Sequence, residues 1–519
     1  MRLMPGRMRE VELVEAADEP ARSRSAPEPD PGRRVDVELP DDVRAARGWV
    51  RRHAPWLVAA VAVVVGSLAG AQLVLDHRED ARVAALAAVP GIVPPVDATV
   101  GVLWRADPLL APALRSGAVV DGMLVGGVQD EAGAPAIVGL DPDTGVVAWR
   151  TPVDLPTPPR TSPELWNSCS AVPRGGSEVA VCVSQQVGED VVGIPPSSVW
   201  VLDPADGRVL ADREVEGGWG LTFSDGALVV ARPVTDGGEP ARTDAGTVRW
   251  QVRADDPVSG QTRWTWTTPP TDTVGREDGP EGATATGTAS LETLDDHVVL
   301  VVDSHGWVLA DDGELLLDVP LDPASWLQPA RAGVFVESRW TSSAYSGTLL
   351  LADGSRVAID ETASWLAVDD GSAPDVMFTV GQAPGGADGL SGRSARTGQQ
   401  LWHLDGTIVT SLLLDGTLYV ATSDSLVAVD ATSGDVHWRT PTDHLPQQLS
   451  TDGRYLLLPG LGVTLEAYTL TDGELAWTAD LSDEVSDGRS TVLVAGFQSG
   501  WHDPRLYVWM DTGAIAVLG

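Results

Sequence analysis

The sequence predicts an all-β chain, a β-propeller of about eight four-stranded blades with nine as the alternative count, preceded by one transmembrane helix. Three observations predict it. First, a spaced motif recurs: GLDPDTGVVAW (Gly139 to Trp149), ADDPVSGQTRW (Ala254 to Trp264), GRSARTGQQLW (Gly392 to Trp402), AVDATSGDVHW (Ala428 to Trp438) and AYTLTDGELAW (Ala467 to Trp477). Second, from about Val100 onward short runs of Val, Leu, Ile and Ala alternate with DG, SG and TG turns, with no convincing helical period over ten residues. Close-spaced turns mean a sandwich, a barrel or a propeller, and the long repeat selects the propeller. Third, Trp56 to Leu75 carries no charge and is long enough, at about 30 Å as a helix, to cross a hydrocarbon core.

In chain order, residues 1–52 read as a disordered cytoplasmic tail. ADEPARSRSAPEPDPGRR is rich in Pro, Ser and opposed charges and cannot bury enough apolar surface to offset chain entropy. The transmembrane helix comes next, at 53–76. Arg44, Arg47, Arg51 and Arg52 before it place the N-terminus in the cytoplasm and the C-terminal bulk of the chain outside the cell. A cleavable signal peptide is the rival reading, since Ala69-Gly70-Ala71 resembles a cleavage site, but the lead is far too long for one. Gly66 and Gly70 form GxxxG, a dimer face or a chance match in an Ala/Val/Gly-rich span. Residues 77–98, a charged then Ala-rich stalk broken by PGIVPPVD, read as a spacer. The propeller occupies 99–519.

Each repeat supplies a third strand, a hairpin and a fourth strand. In LVAVDATSGDVHW, Asp430 accepts hydrogen bonds from the amides of its own turn and Gly434 supplies the positive φ. Trp438, on the outer strand, is expected to reach the next blade, with the small residue at the motif's start making room. An indole buries about 150–250 Å², worth several kcal/mol per blade. The docking tryptophans are Trp104, Trp149, Trp264, Trp402, Trp438 and Trp477, and the turn glycines are Gly145, Gly207, Gly260, Gly398, Gly434 and Gly473. Degenerate copies keep the turn without the indole: Ala211 stands where Trp is expected after Gly207, and Gly313 and Gly354 keep the turn alone. The ends complement each other. LYVWMDTGAIAVLG lacks an outer strand, and TVGVLWR (Thr99 to Arg105) offers one with Trp104, so 99–105 is expected to close the ring beside Ala514 to Leu518.

Composition narrows the function. The net charge of -39 repels nucleic acid and anionic lipid. The chain contains no lysine, which excludes Schiff-base and P-loop chemistry. Cys169 and Cys182 fit an extracytoplasmic disulfide between neighbouring strands, two buried free thiols being the alternative. Asp141, Asp143 and Gly145 echo part of a calcium loop but lack its later Glu, so they read as an ordinary turn. His297, His305, His403, His437, His444 and His502 show no metal-ligand spacing. There is no GxSxG. Ser391 in GLSGRS is a partial match, and Gly385 to Gly392 reads as an exposed connection.

The AxDxxTGxxxW pattern resembles the tryptophan-docking motif of pyrroloquinoline-quinone-like (quinoprotein alcohol dehydrogenase-like) propeller repeats, and the architecture looks like the family's membrane-anchored actinobacterial members. The resemblance covers roughly Val100 to the C-terminus and implies the fold. The family holds quinone-dependent dehydrogenases and cofactor-free members, among them a bacterial outer-membrane assembly lipoprotein. The dehydrogenases' adjacent-cysteine disulfide is absent here, because Cys169 and Cys182 stand 13 apart, and neither a calcium-ligand set nor a catalytic Asp can be placed. The expectation is therefore a non-catalytic ligand- or protein-binding module, with no catalytic, cofactor-binding or metal residues and no PQQ. Its partners would be the membrane, through one helix, and envelope proteins or glycans, not nucleic acid. A quinone-dependent oxidoreductase and a cell-envelope sensor are the alternatives.

Overall fold

In the computed structural model the chain divides into two units, Met1–His77 and Arg78–Gly519. The structure describes Trp56, His77, residues 81–86 and residues 88–519. Excepted are 155–165, 186–196, 216–219, 242–246, 273–288, 341–344, 382–388, 486–504 and some single or paired positions. In the first unit Trp56 and His77 are helical and exposed. The expected tail and, Trp56 apart, the expected span lie outside the described residues. Among the described residues no helix is long and apolar enough to cross a membrane.

The described strands of the second unit form nine sheets, each one blade. The blades occupy 118–152, 166–215, 220–267, 289–320, 325–359, 362–405, 408–441, 450–480 and, for the ninth, 102–106 with 506–518. The count is thus nine rather than about eight. All the degenerate copies count, blades 2, 4 and 5 lacking the outer-strand Trp, and so does the composite blade split between the chain's two ends. Val102–Ala106 pairs antiparallel with Ile515–Leu518, with Val102 opposite Leu518 and Trp104 opposite Val517. The terminal Gly519 and Gly101 exchange two backbone hydrogen bonds of 3.1 and 3.2 Å.

Burial tracks position in the blade. Third strands such as Ser197–Leu202 and Ser425–Asp430 are buried nearly throughout, because neighbouring blades cover both their faces. Outer strands such as Val147–Pro152 and Val436–Pro441 alternate exposed and half-buried residues, as rim strands with one covered face must.

Two features depart from a regular propeller. The axial strand of blade 6 is divided. Thr362–Ala363 pairs with its own blade at Val376–Gly381, and Leu366–Asp369 then crosses to lie parallel to Ile408–Leu414 of blade 7. The other departure corrects the expected spacer at 77–98, which is docked. Val83, Leu86, Ile92 and Val93 are all under 9 % exposed. Ile92 makes a parallel bridge to Thr451, the Val93 amide donates to Thr451 O at 2.9 Å, and the Val96 amide donates to Asp452 at 3.2 Å. Arg82 pairs with Asp415 at 2.7 Å. Leu86 and Ile92 join a core with Val368 of the crossing strand, Leu412 of blade 7 and Leu456 of blade 8. The physical reason is simple: Val83 and Leu86 share a face of the helical turn at 81–86, and the Pro-rich stretch carries Ile92 and Val93, two side chains that a free spacer would leave in water.

Candidate functional site

The repeat builds the ring that any site must sit on. Trp149, Trp264, Trp402, Trp438 and Trp477 each stand directly opposite the small residue that opens their motif: Gly139, Ala254, Gly392, Ala428 and Ala467. The indole then lies on the turn glycine of the next blade. A Cβ built on Gly207 would fall 2.3 Å from the Trp149 ring, one on Gly434 2.5 Å from Trp402, and one on Gly473 2.4 Å from Trp438. Each ring nitrogen donates to a carbonyl of that turn: Trp149 to Pro204 at 2.8 Å, Trp264 to Asp311 at 2.6 Å, Trp402 to Ala431 and Trp438 to Leu470 at 3.0 Å. Trp104 docks on Gly145 and donates to Pro142 O at 2.9 Å, joining blade 9 to blade 1. Arg505 reinforces this joint, reaching Pro142 O at 2.8 Å and Asp143 at 2.7 Å.

Where the sequence lacks the indole, other side chains substitute. Arg213, two positions after Ala211, reaches over Gly260 to Asp256 O at 3.3 Å. Val357 packs on Gly398. Gly313, read from sequence as a bare turn, receives Trp264, whereas Gly354 has nothing within 4 Å of its built Cβ. Trp477 is the exception among the docking indoles, because its buried ring nitrogen has no hydrogen-bond partner among the described residues. The ninth blade has no hairpin between its third and outer strands, so it offers no turn carbonyl.

The turn aspartates are committed to their turns. Asp141 accepts from the amides of Asp143 and Thr144, Asp256 from those of Ser259 and Val258, and Asp430 from those of Ser433 and Thr432. These bonds hold all three carboxyls below the usual carboxylate range. The calcium-loop echo at Asp141–Gly145 is thus a turn of this kind.

Cys169 and Cys182 are disulfide-bonded, sit opposite each other on adjacent strands of blade 2, and are 0 % and 1 % exposed. Of the exposed connection expected at Gly385 to Gly392, 385–388 lie outside the described residues, and Ser391 is not on such a connection. Gly389–Ser394 is an inner strand of blade 6, and Ser391 is fully buried. Ser391 donates to Glu361 at 2.7 Å and lies 3.0 Å from Nδ1 of His403, whose Nε2 is 3.4 Å from Asp405. The grouping resembles a hydrolase triad but gives a substrate no access to the hydroxyl. Its centre is Glu361, which also takes hydrogen bonds from Thr379 and from Arg393 at 2.8 Å. Burial pushes this carboxyl up, and the bonds from Arg393, Thr379 and Ser391 outweigh it, leaving it below its ordinary range. His305 stacks on Trp307 and contacts Asp318, and His444 bonds Pro459 O at 2.8 Å. His502 lies outside the described residues.

The most distinctive surface is an axial cleft of about 490 Å³ built from the inner strands of blades 4, 5 and 6 and the crossing strand Leu366–Asp369. Trp326, Trp365 and Leu366 give it apolar walls, and Ser290, Glu292 and Gln328 give it polar groups. Trp365 owes its place to the divided strand: it sits in the two-residue gap between the two pairings and is 55 % exposed. Arg331, the one cation among the described lining residues, is fully engaged. It forms a bidentate pair with Asp369 at 2.5 and 2.8 Å and donates to the carbonyls of Ala373 and Val376, both at 2.8 Å. Gln328 accepts from Thr362 at 3.0 Å and Ser338 at 3.2 Å, so its carbonyl is used while its NH₂ group has no partner among the described residues. Sequence reading missed this site. SWLAV reads as one buried strand, and nothing local signals that it changes blade.

A family model described as outer membrane protein assembly factor BamB (PQQ_2) matches residues 387–501. No curated protein matches the chain. Among solved structures, BamB from Moraxella catarrhalis is 14 % identical over 81 % of this chain and 99 % of its own, with a TM-score of 0.38. The quinohemoprotein alcohol dehydrogenase from Comamonas testosteroni is 12 % identical over 82 % of this chain and 78 % of its own, with a TM-score of 0.40. The designed protein Ika8 is 15 % identical over 78 % and 96 %, with a TM-score of 0.34. Likeness this loose transfers no function. The family-model match agrees with the docking motif over residues 387–501, and supports a pyrroloquinoline-quinone-like β-propeller repeat there.

Proposed function

We propose that the protein is a single-pass, membrane-anchored propeller displayed outside the cytoplasm, acting by binding and not by catalysis. The observation that carries the reading is the lining of the axial cleft: aromatic walls and a few polar groups, with the single cation among its described residues already neutralised. A cleft of this size lies within the roughly 300–1,000 Å³ of small-molecule sites. The quinone of the family's dehydrogenases is a tricarboxylate. It does not fit a lining that includes Glu292 and Asp369 and offers, among the described residues, no uncommitted positive charge. The disulfide is buried in blade 2 and is not part of the cleft lining. The anchor rests on the uncharged run Trp56 to Leu75 and the arginines before it. The family-model match to an outer-membrane assembly factor supports a holding role in the cell envelope. The test is to incubate the full chain with pyrroloquinoline quinone and calcium and follow absorbance and dye reduction with alcohols and sugars. Neither bound chromophore nor dye reduction is expected, and quinone-dependent turnover would overturn the reading.

A further inference from the structure

We infer that the axial cleft recognises a weakly hydrated organic cation of the quaternary-ammonium type. The inference rests on the binding role proposed for the protein and names the ligand chemistry of the same cleft.

Charge comes first. The lining carries Glu292, Asp369 and Arg331. The Arg331–Asp369 pair is closed on itself by two hydrogen bonds, which leaves the exposed Glu292 as the uncompensated group. The chain's -39 adds a long-range field of the same sign. Such a cleft concentrates cations and repels anions.

The walls then select among cations. Two indoles face the space, and Leu327, Leu366, Val299 and Val301 surround them. A metal ion would need several oxygen ligands, and among the described residues no group of three or more His, Cys, Asp or Glu could hold one. A primary ammonium would have to shed strongly bound water against apolar walls. A trimethylammonium group is large and weakly hydrated, and it is attracted to the negative face of an indole. This is the chemistry of aromatic cages for choline and methylated amines.

Exposure supports the assignment. Other indoles of the ring are committed: Trp250 and Trp307 are under 3 % exposed, and five of the docking indoles donate to turn carbonyls. Among the residues of the second unit whose burial is described, Trp365 is the one exposed tryptophan, and it has no partner among them. It is held in the gap of a strand pinned to two blades, so its backbone is fixed although its ring is open. The Gln328 NH₂ group supplies one donor for a polar tail, such as the hydroxyl of choline or the carboxylate of a betaine.

The ligand chemistry could come from a free solute or from a lipid headgroup, and the experiment separates the two. The full chain, in a detergent without a choline-like headgroup, is titrated with choline and with its uncharged isostere 3,3-dimethylbutan-1-ol. Choline is expected to saturate and the isostere to bind at least tenfold more weakly. Trp365→Leu, which keeps apolar bulk but removes the π face, should weaken choline by about thirtyfold, while Trp365→Phe should retain most of the affinity. Glu292→Gln should weaken choline and remove most of the salt dependence. A short-chain phosphatidylcholine kept below its micellar concentration, added against bound choline, assigns the source: displacement of choline means the headgroup enters the cleft, and no displacement means a free solute. Equal binding of the isostere, insensitivity to Trp365→Leu, or no choline binding overturns the inference. None of these outcomes restores quinone turnover, so the binding reading stands or falls separately, by the dye assay.

Discussion

Gly434→Ala and Gly354→Ala make a matched pair that isolates the energy of indole docking. Each glycine stands just before the residue that closes its hairpin, with nearly equal φ, 76° and 82°, although the turn of Gly434 is one residue longer. Alanine there costs about 1 kcal/mol for the left-handed backbone alone. At Gly354 the new methyl meets nothing within 4 Å. At Gly434 it would stand 2.5 Å from Cβ and Cγ of Trp402, so the indole must move. Trp402 is 8 % exposed, and a buried indole contributes about 4–6 kcal/mol by area. Exposing about a third of it costs about 2 kcal/mol, and losing its bond to Ala431 O adds about 1 kcal/mol. The expected losses are therefore about 1 kcal/mol for Gly354→Ala and about 4 kcal/mol for Gly434→Ala. Denaturant midpoints by circular dichroism give the ranking. Amide hydrogen exchange at 431–435 shows whether the loss is local to the joint between blades 6 and 7. Equal destabilisation by the two substitutions would refute the claim that turn glycines are selected by the ring laid on them.

The buried carboxylate of blade 6 and the docked linker give two further outcomes. Glu361 has its folded-state carboxyl below the ordinary value, so its contribution is present above about pH 4.5 and is lost as pH falls through the lowered value. Glu361→Gln should cost about 3 kcal/mol at pH 7 by leaving Arg393 buried and unpaired. The gap to wild type should narrow below about pH 4.5 in denaturant titrations at pH 7, 5 and 3.5, and a gap that widened on acidification would contradict the pairing. For the docked linker, a chain beginning at Arg78 should remain soluble and monodisperse. One beginning at Val96 should aggregate or bind a hydrophobic dye, because it uncovers Val368, Leu412 and Leu456. Indistinguishable behaviour in size-exclusion chromatography would mean that the packing of Leu86 and Ile92 contributes little.

What the chain reveals in advance depends on where the determining contacts lie. The hairpin from third to outer strand is written within eleven consecutive residues: the small residue opposite the Trp, the Asp that binds its own turn, and the Gly with positive φ. Such local chemistry is legible one copy at a time, and it announced the fold. The closing strand was legible too, because Trp104 is an outer-strand residue lacking its own hairpin. The inner strands are specified by neighbours. Thr362–Ala363 and Leu366–Asp369 form one apolar run in sequence, and only the blades on either side decide that it divides. The cleft inherits that illegibility, since its lining comes from four separate segments, and so does the docked linker, whose partners lie more than 270 residues further on.

The pairing of Val102 with Leu518 sets a timetable for synthesis. The first strand must wait for a partner made 416 residues later (518 minus 102). At about 5–20 residues per second that is a delay on the order of half a minute. Through it Leu103 and Trp104 belong to a bare strand edge, the kind of surface that templates wrong partners. A chain interrupted anywhere before Ile515 never satisfies that edge, so incomplete molecules differ from finished ones in one exposed feature that a quality-control protease could read.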